Sequence, residues 1–282
     1  MKPEKILVGA HMSIAGGFYK AVERAQAIGC TTMQIFTKNN KSWFAKEISA
    51  QESKLFKAAM KESNLSKVMA HSSYLINLGS ATKDTEKKSV TALAKELKRC
   101  EMLGIPYLVI HPGSHVGQGE DAAIKQIIKH LDTILSKAAG TTSILLETMA
   151  GQGTSVAHTF EQLKKIYDGC ECKKSLGVCL DTCHVCAAGY DISSPAGYNS
   201  MWKKFKATLG VRALKAIHLN DSKTECGSKK DRHENLGKGK ISLKVFELIM
   251  NNKSLKNIPK VLETPDGNLY EKEIKMLKRM VK

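Results

Sequence analysis

Eight short apolar runs, each followed by a stretch with helical spacing, repeat along the chain. They read KILVGAH, TTMQIFT, KVMAH, PYLVIH, SILLET, LGVCLD, LKAIHLN and PKVLET. The runs are rich in Val, Ile and Leu and barely alternate, the pattern of strands buried on both faces. The gaps carry amphipathic helices. TEKKSVTALAKELKRCEMLG puts Val90, Leu93, Leu97 and Cys100 on one face and stops at Gly104. EDAAIKQIIKHLDTILSKAAG turns Ile124, Ile127, Ile128, Leu131 and Leu135 inward, and SLKVFELIMNN and LYEKEIKMLKRMVK supply the last two helices. No Ser- or Pro-rich linker breaks the alternation, so residues 1–282 are expected to form a single α/β domain, a (β/α)8 TIM barrel. A doubly wound open sheet is the alternative architecture.

The polar residues choose between the two. His71, His111, Glu147, Asp181, His218 and Glu263 each stand at the end of a predicted strand, 34 to 45 residues apart. In a closed barrel these ends ring one face and the side chains converge, whereas in an open sheet the outer ones stand apart. Three imidazoles and three carboxylates brought together are costly to bury without a partner, and a metal satisfies them jointly. Imidazole with carboxylate is a donor set that suits zinc. His184 follows Asp181 by three residues in LDTCH, and Asp231 and His233 stand two apart in DRH, so that an extended loop faces both the same way. That makes nine donors, the number three ions need. A lone DRH would otherwise read as solvated surface.

Charge points to the partner. Lys and Arg number 44 against 27 Asp and Glu, a formal net charge of +17, which suits a polyanion and nucleic acid first. Lys38, Lys41, Lys223, Lys229, Lys230, Arg232, Lys238 and Lys240 fall in or near the loops of the metal face and are expected to form a basic rim for phosphates. Tyr74 and Leu75, directly after a ligand strand, either wedge into a base stack or pack beneath their loop. No apolar stretch approaches the ~18–20 residues of a spanning helix, and the N-terminal ILVGA is too short for a secretory signal, so no membrane role is expected. The eight cysteines are therefore expected in a reducing, cytoplasmic setting, with Cys170 and Cys172 (CxC) and Cys183 and Cys186 (CxxC) as free thiols.

With HSSYLINLG, HPGSH, LETMAGQG, GVCLDTCHVCAAGYDI and HLNDSK…GSKKDRHENLGKG in place, the chain resembles the endonuclease IV family of zinc-dependent apurinic/apyrimidinic endonucleases over nearly its whole length. The resemblance implies three zinc ions, with manganese as an alternative at one site. His71, His111 and Glu147 would hold the first. Glu147 would bridge to the second, completed by Asp181, His218 and Glu263, and His184, Asp231 and His233 would hold the third. It further implies hydrolysis of the phosphodiester 5′ to an abasic sugar by a hydroxide between the first two metals. Glu147 and Glu263 would be the catalytic carboxylates, Glu263 orienting or deprotonating the water, and the products a 3′-hydroxyl and a 5′-deoxyribose phosphate. Trimming of blocked 3′ ends is implied as well. The partner would be double-stranded DNA with abasic sites or blocked 3′ ends, touched by Lys41, Tyr74, Leu75, Lys229, Lys230 and Arg232, and the enzyme a cytoplasmic monomer, nucleoid-associated in a bacterium. Three positions depart from the family. Asn40-Lys41 stands where Gln-Arg is common, and lysine lacks the planar fork of arginine. Cys186 replaces a common aromatic and Met149 a common threonine. Two rival readings are a metal-dependent sugar isomerase or epimerase of the same barrel type, which needs only Glu147, Asp181, His218 and Glu263, and a non-catalytic DNA-damage binding protein.

Overall fold

The computed structural model describes residues 6–282; Lys5, which opens the first apolar run, lies outside the described residues. Eight parallel strands close into a barrel: β1 Val8–Met12, β2 Gln34–Phe36, β3 Met69–His71, β4 Tyr107–Ile110, β5 Ser143–Glu147, β6 Leu176–Asp181, β7 Leu214–His218 and β10 Lys260–Leu262. Neighbours in sequence pair around the ring, and β10 closes on β1 through Val8↔Lys260, Gly9↔Val261 and Ala10↔Leu262. Each of the eight apolar runs became one of these strands, and the closed form is the one found. The two-residue strands β8 Asp221–Ser222 and β9 His233–Glu234 pair antiparallel outside the barrel.

The helices are α1 Phe18–Ala27, α2 Ala50–Glu62, α3 Lys83–Leu103, α4 Glu120–Leu135, α5 Phe160–Gly169, α6 Thr182–Ala188, α7 Pro195–Thr208, α8 Leu243–Asn251 and α9 Tyr270–Arg279. Local chemistry sets their ends. Ser49 and Glu52 form a capping box at the start of α2. Ser194 caps α7, with Pro195 in the first turn. Gly104 ends α3 with φ 73°, the left-handed conformation for which glycine carries no steric cost. Of the helix faces expected to turn inward, Leu93, Leu97, Cys100, Ile124, Ile127, Leu131 and Leu135 are buried, while Val90 and Ile128 are half-buried at the edge of the stripe.

The period-two alternation of the strands builds two cores and, with them, the site. Met69, Val109, Leu145, Cys179, Ala216 and Val261 form a small cluster of their own inside the barrel. Residues of the opposite parity, such as Ala70, Leu108, Leu146, Leu180 and Leu262, join the larger cluster that includes the helices. Two positions beyond the six interior residues come His71, His111, Glu147, Asp181, His218 and Glu263. Same parity means same face, so the polar ring caps the inner apolar cluster at the C-terminal mouth.

At the opposite end, Lys260 is buried, its ammonium donating to the carbonyls of Leu255 (2.7 Å) and Ile258 (2.9 Å). Burial, and then the charge of Lys67, push its pKa down to about 8 from 10.5. Between these values the unfolded chain binds the proton and the fold does not. Stability from this group therefore rises with pH across that window, and the cost of the buried cation is fully present below it. The urea stability of the wild type relative to Lys260→Met is expected to improve by about 2 kcal/mol from pH 7.5 to pH 10. A pH-independent difference would mean that the lysine is not held as a disfavoured cation.

Candidate metal centre

Glu147 ends β5, fully buried, and its two oxygens face different neighbours. Oε2 lies 3.1 Å from His71 Nε2 and 3.3 Å from His111 Nε2. Oε1 lies 2.9 Å from His218 Nδ1, which is also 3.1 Å from Glu263 Oε2. Asp181 caps the N-terminus of α6: its Oδ1 accepts the His184 backbone N–H at 2.9 Å. The same cap places His184 in the first turn of α6, its Nε2 3.2 Å from Asp231 Oδ2, while His233 Nε2 is 3.3 Å from Asp231 Oδ1. Three groups of donors result, each with ligand atoms within 4.8 Å of one another: His71, His111 and Glu147; Glu147, Asp181, His218 and Glu263; His184, Asp231 and His233. A fourth combination, Asp181, Cys183 and His233, draws on the same region. A cavity of about 280 Å³ opens over the site, lined by Tyr74, His111, His184, Asp231, His233 and Glu263.

The imidazoles are set up as cation ligands. In three of them Nδ1 faces a backbone carbonyl: Ser72 for His71 (2.8 Å), Thr148 for His184 (2.8 Å) and Glu263 for His233 (3.2 Å). His218 instead uses Nε2 toward Gln34 Oε1 at 2.8 Å. A ring nitrogen that donates to a carbonyl fixes the tautomer and leaves the other nitrogen as an acceptor or metal ligand. Those second nitrogens all point into the cluster. His184 Nε2 and His233 Nε2 are buried and form no hydrogen bond among the described residues, despite the nearby carboxylate. Such orphaned nitrogens are costly, and a cation at their common centre satisfies both. The residues fit a polynuclear divalent metal centre.

Electrostatics agree. Burial raises the Glu147 carboxyl, but His218, His111 and His184 outweigh it and hold it well below the usual range. Burial lowers His184, yet Asp181, Asp231 and Glu147 carry it well above 6.5. The same contest drives Asp231 down to about 2, burial being overcome by His184, then His233 and His111. Glu147 and Asp231 are thus ionised at neutral pH, and a divalent cation entering the cluster displaces the His184 proton.

Several residues that complete the site were not singled out from sequence. Gln34 donates to Glu263 Oε1 at 2.5 Å, with His11 Nδ1 3.3 Å from the same oxygen. Asn220 donates to Asp181 Oδ2 at 2.7 Å and accepts the Glu263 backbone N–H at 2.8 Å, tying two ligands together. Gln152 accepts the Asp231 backbone N–H at 3.0 Å. Asp221 accepts backbone N–H groups from Ser222, Gly237, Gly239 and Ile241, which fixes the loop that follows β9. His11 and Asn220 did carry a signal, since both stand at strand ends like the ligands themselves.

The expected basic rim is smaller than the sequence suggests. Lys41, Lys223, Lys229, Lys230, Arg232 and Lys238 are exposed, but Lys38 is buried. Its ammonium donates to Ser42 O at 2.6 Å and sits 3.4 Å from Glu96 Oε1. Glu96 also accepts Ser73 N–H, and Arg99 donates to Thr37 O and Lys46 O, so this buried cluster supports the loops of Lys41 and Tyr74 from below. Lys240 pairs with Glu225 at 2.7 Å. Tyr74 is 54 % exposed at the mouth, its ring 5.3 and 5.4 Å from those of His71 and His111, whereas Leu75 is half-buried. The expectation for Cys186 fails as well. Cys170, Cys172 and Cys183 are free thiols, but Cys186 is disulfide-bonded to Cys226, 40 residues away. Spacing along the chain could not reveal that partner, which arrives only when the loop after β8 folds back on α6. Met149 is buried beside the site strand β5.

The xylose isomerase-like TIM barrel family matches residues 22–280. A protein of Geotalea daltonii named "Probable endonuclease 4" is 45% identical over 99% of both chains. The chain belongs to the endonuclease IV family. The crystal structure of endonuclease IV from Thermus thermophilus superposes with a TM-score of 0.86 at 33% identity, covering 97% of this chain and 98% of that one. A D-tagatose 3-epimerase-like protein shares the fold alone, with a TM-score of 0.76 at 18% identity, covering 98% and 97%. Membership makes the chain a metal-dependent nuclease, and the donor groups above are candidate metal-binding groups. Among the described residues no helix is long and apolar enough to cross a membrane.

Proposed function

We propose that this chain is a base-excision repair endonuclease that hydrolyses the DNA phosphodiester 5′ to an abasic site, leaving a 3′-hydroxyl and a 5′-deoxyribose phosphate, and that also trims blocked 3′ ends. The observation that carries it is the third donor group. A sugar epimerase of this barrel type needs only Glu147, Asp181, His218 and Glu263, and has no use for His184, Asp231 and His233 beside a face of exposed lysines. Nine ligands in three groups support three zinc ions, with manganese as an alternative at one: His71, His111 and Glu147; Glu147, Asp181, His218 and Glu263; His184, Asp231 and His233. When bound, such ions acidify water and stabilise charge on phosphoryl and leaving oxygens.

The protein supplies position and charge. Glu147 serves two groups at once, because its oxygens face different imidazoles. Glu263 is ionised: burial opposes its charge, but His218 and His11 hold its pKa low. Gln34 occupies Oε1, while Oε2, 3.1 Å from His218 Nδ1, is the oxygen that would orient the attacking water. Lys41, Lys229, Lys230 and Arg232 neutralise backbone phosphates. Tyr74, exposed over the ligands, and Leu75 fill the gap left by the missing base. The enzyme acts as a cytoplasmic monomer in this reading.

The test is cleavage of a fluorescent abasic duplex with and without chelator. Metal-dependent incision 5′ to the lesion supports the reading, and sugar epimerisation without incision contradicts it. Tyr74→Ala is expected to lower the preference for abasic over intact duplex about tenfold, at roughly the 1–3 kcal/mol of a lost stacking contact. Hydrolysis of a small phosphodiester should be nearly unchanged, and equal losses on both substrates would place Tyr74 in support of the ligands instead.

A further inference from the structure

The three donor groups do not rest on the same foundation. In the first two, every ligand stands at or just beyond the end of a barrel strand. In the third, His184 comes from α6, Asp231 from the connection between β8 and β9, and His233 from the first position of β9. Their mutual distance therefore depends on how that connection, residues 223–232, sits against a seven-residue helix. The contacts are specific. Gly227 N–H donates to Cys186 O at 2.8 Å and Lys229 N–H to Ala187 O at 2.9 Å, both at the C-terminal end of α6. Cys183 Sγ lies 3.5 Å from Arg232 O. Across the same seam runs the Cys186–Cys226 disulfide, with Cα atoms 4.5 Å apart. Cys186 is two residues from His184 and Cys226 five residues from Asp231, so the bond makes a short covalent path between these two ligands.

We propose that the Cys186–Cys226 disulfide is a positioning element of the third donor group, and that thiol–disulfide exchange at this bond tunes the grip of His184, Asp231 and His233 on their metal while leaving the two strand-borne groups unchanged. The inference rests on the metal reading of that group. Cys186 is buried and Cys226 half-buried, so an external dithiol attacks the Cys226 sulfur. A mixed disulfide forms and the Cys186 thiolate leaves. The second thiol of the reagent then displaces Cys226, giving a cyclic disulfide and two protein thiols, with two electrons and two protons passed from reagent to protein. The hydrogen bonds to Cys186 O and Ala187 O keep the connection folded part of the time. Reduction thus produces local opening at the seam, with the barrel intact.

Changing groups that orient metal ligands typically costs about 10–100-fold in metal affinity. The experiment compares the zinc-loaded wild type with Cys226→Ser and Cys186→Ser. Alkylation of the denatured wild type without reductant should modify six of the eight cysteines, and modification of all eight would overturn the cross-link. Release of zinc to a chromogenic chelator should show one ion leaving about 10–100-fold faster in either variant and two unchanged. Abasic-duplex kcat should fall while KM stays near its wild-type value. In the wild type, dithiothreitol should reproduce the variant pattern and oxidised glutathione should reverse it, a rescue that also serves if a variant folds poorly. Unchanged release of all three ions, or equal acceleration of all three, overturns the proposal. Trypsin cleavage at Lys229 or Lys230 separates the cross-link from the metal reading. Faster cleavage on reduction, with only two zinc ions bound to the oxidised protein, upholds the cross-link and removes the metal reading. Three ions bound, with zinc release and cleavage indifferent to reduction, retains that reading and sinks this inference.

Discussion

Glu147→Gln is expected to lower abasic-site incision by at least about 10³-fold, the scale of removing a charge that organises a reaction centre. Four imidazole nitrogens, from His71, His111, His184 and His218, lie within 3.3 Å of this one carboxylate. An amide keeps the shape and loses the charge, so two donor groups weaken together. Binding of abasic duplex should change only a few-fold, because the exposed lysines and Tyr74 are untouched. Metal content by atomic emission, single-turnover cleavage and a binding titration check this in parallel. Near-wild-type chemistry in Glu147→Gln would remove this residue from its bridging position.

The second large effect is expected from replacing Asp231 and His233 together by alanine. Asp231 lies on the connection between β8 and β9 and His233 at the start of β9, both outside the barrel, so the apolar clusters and the barrel strand pairings are intact and the protein should fold. Of the third group only His184 remains, which is too few ligands to retain an ion. Zinc content should fall from three to about two per chain. Loss of charge stabilisation at a developing oxyanion typically costs roughly 10²–10³-fold in rate, ~3–4 kcal/mol. A sugar isomerase would be indifferent to the change. Full-speed cleavage by the double variant, or unchanged zinc content, would return DRH to ordinary surface.

The barrel was legible because it rests on a repeat. Eight apolar runs with helices between them have few packings that bury both faces of every strand, and the polar residues at the strand ends favoured closure. The same regularity made the ring of six legible, since each member stands two residues beyond an interior apolar one. His11 sits at the end of β1 in that same pattern, yet a single imidazole with no acidic neighbour in sequence gave no reason to promote it. Gln34 is hidden in the middle of TTMQIFT, and only the pairing of β2 and β10 on either side of β1 brings it to Glu263. Lys38 misled for the converse reason. Charge alone suggests solvent, but Glu96, on a helix far along the chain, offers a buried partner. The spacing of Cys186 from Cys183 does not reveal its partner Cys226, which tertiary folding brings to it. Features set by local periodicity could be read, while those set by contacts between distant loops could not.

In the proposed function this mouth holds three metals on these nine side chains. X-ray diffraction from crystals of the zinc-loaded wild type, collected at the zinc absorption edge, tests it directly. Three anomalous peaks per chain are expected: one among His71, His111 and Glu147, one among Glu147, Asp181, His218 and Glu263, and one among His184, Asp231 and His233. A single peak at the Glu147, Asp181, His218 and Glu263 group, with none beside His184, would contradict it.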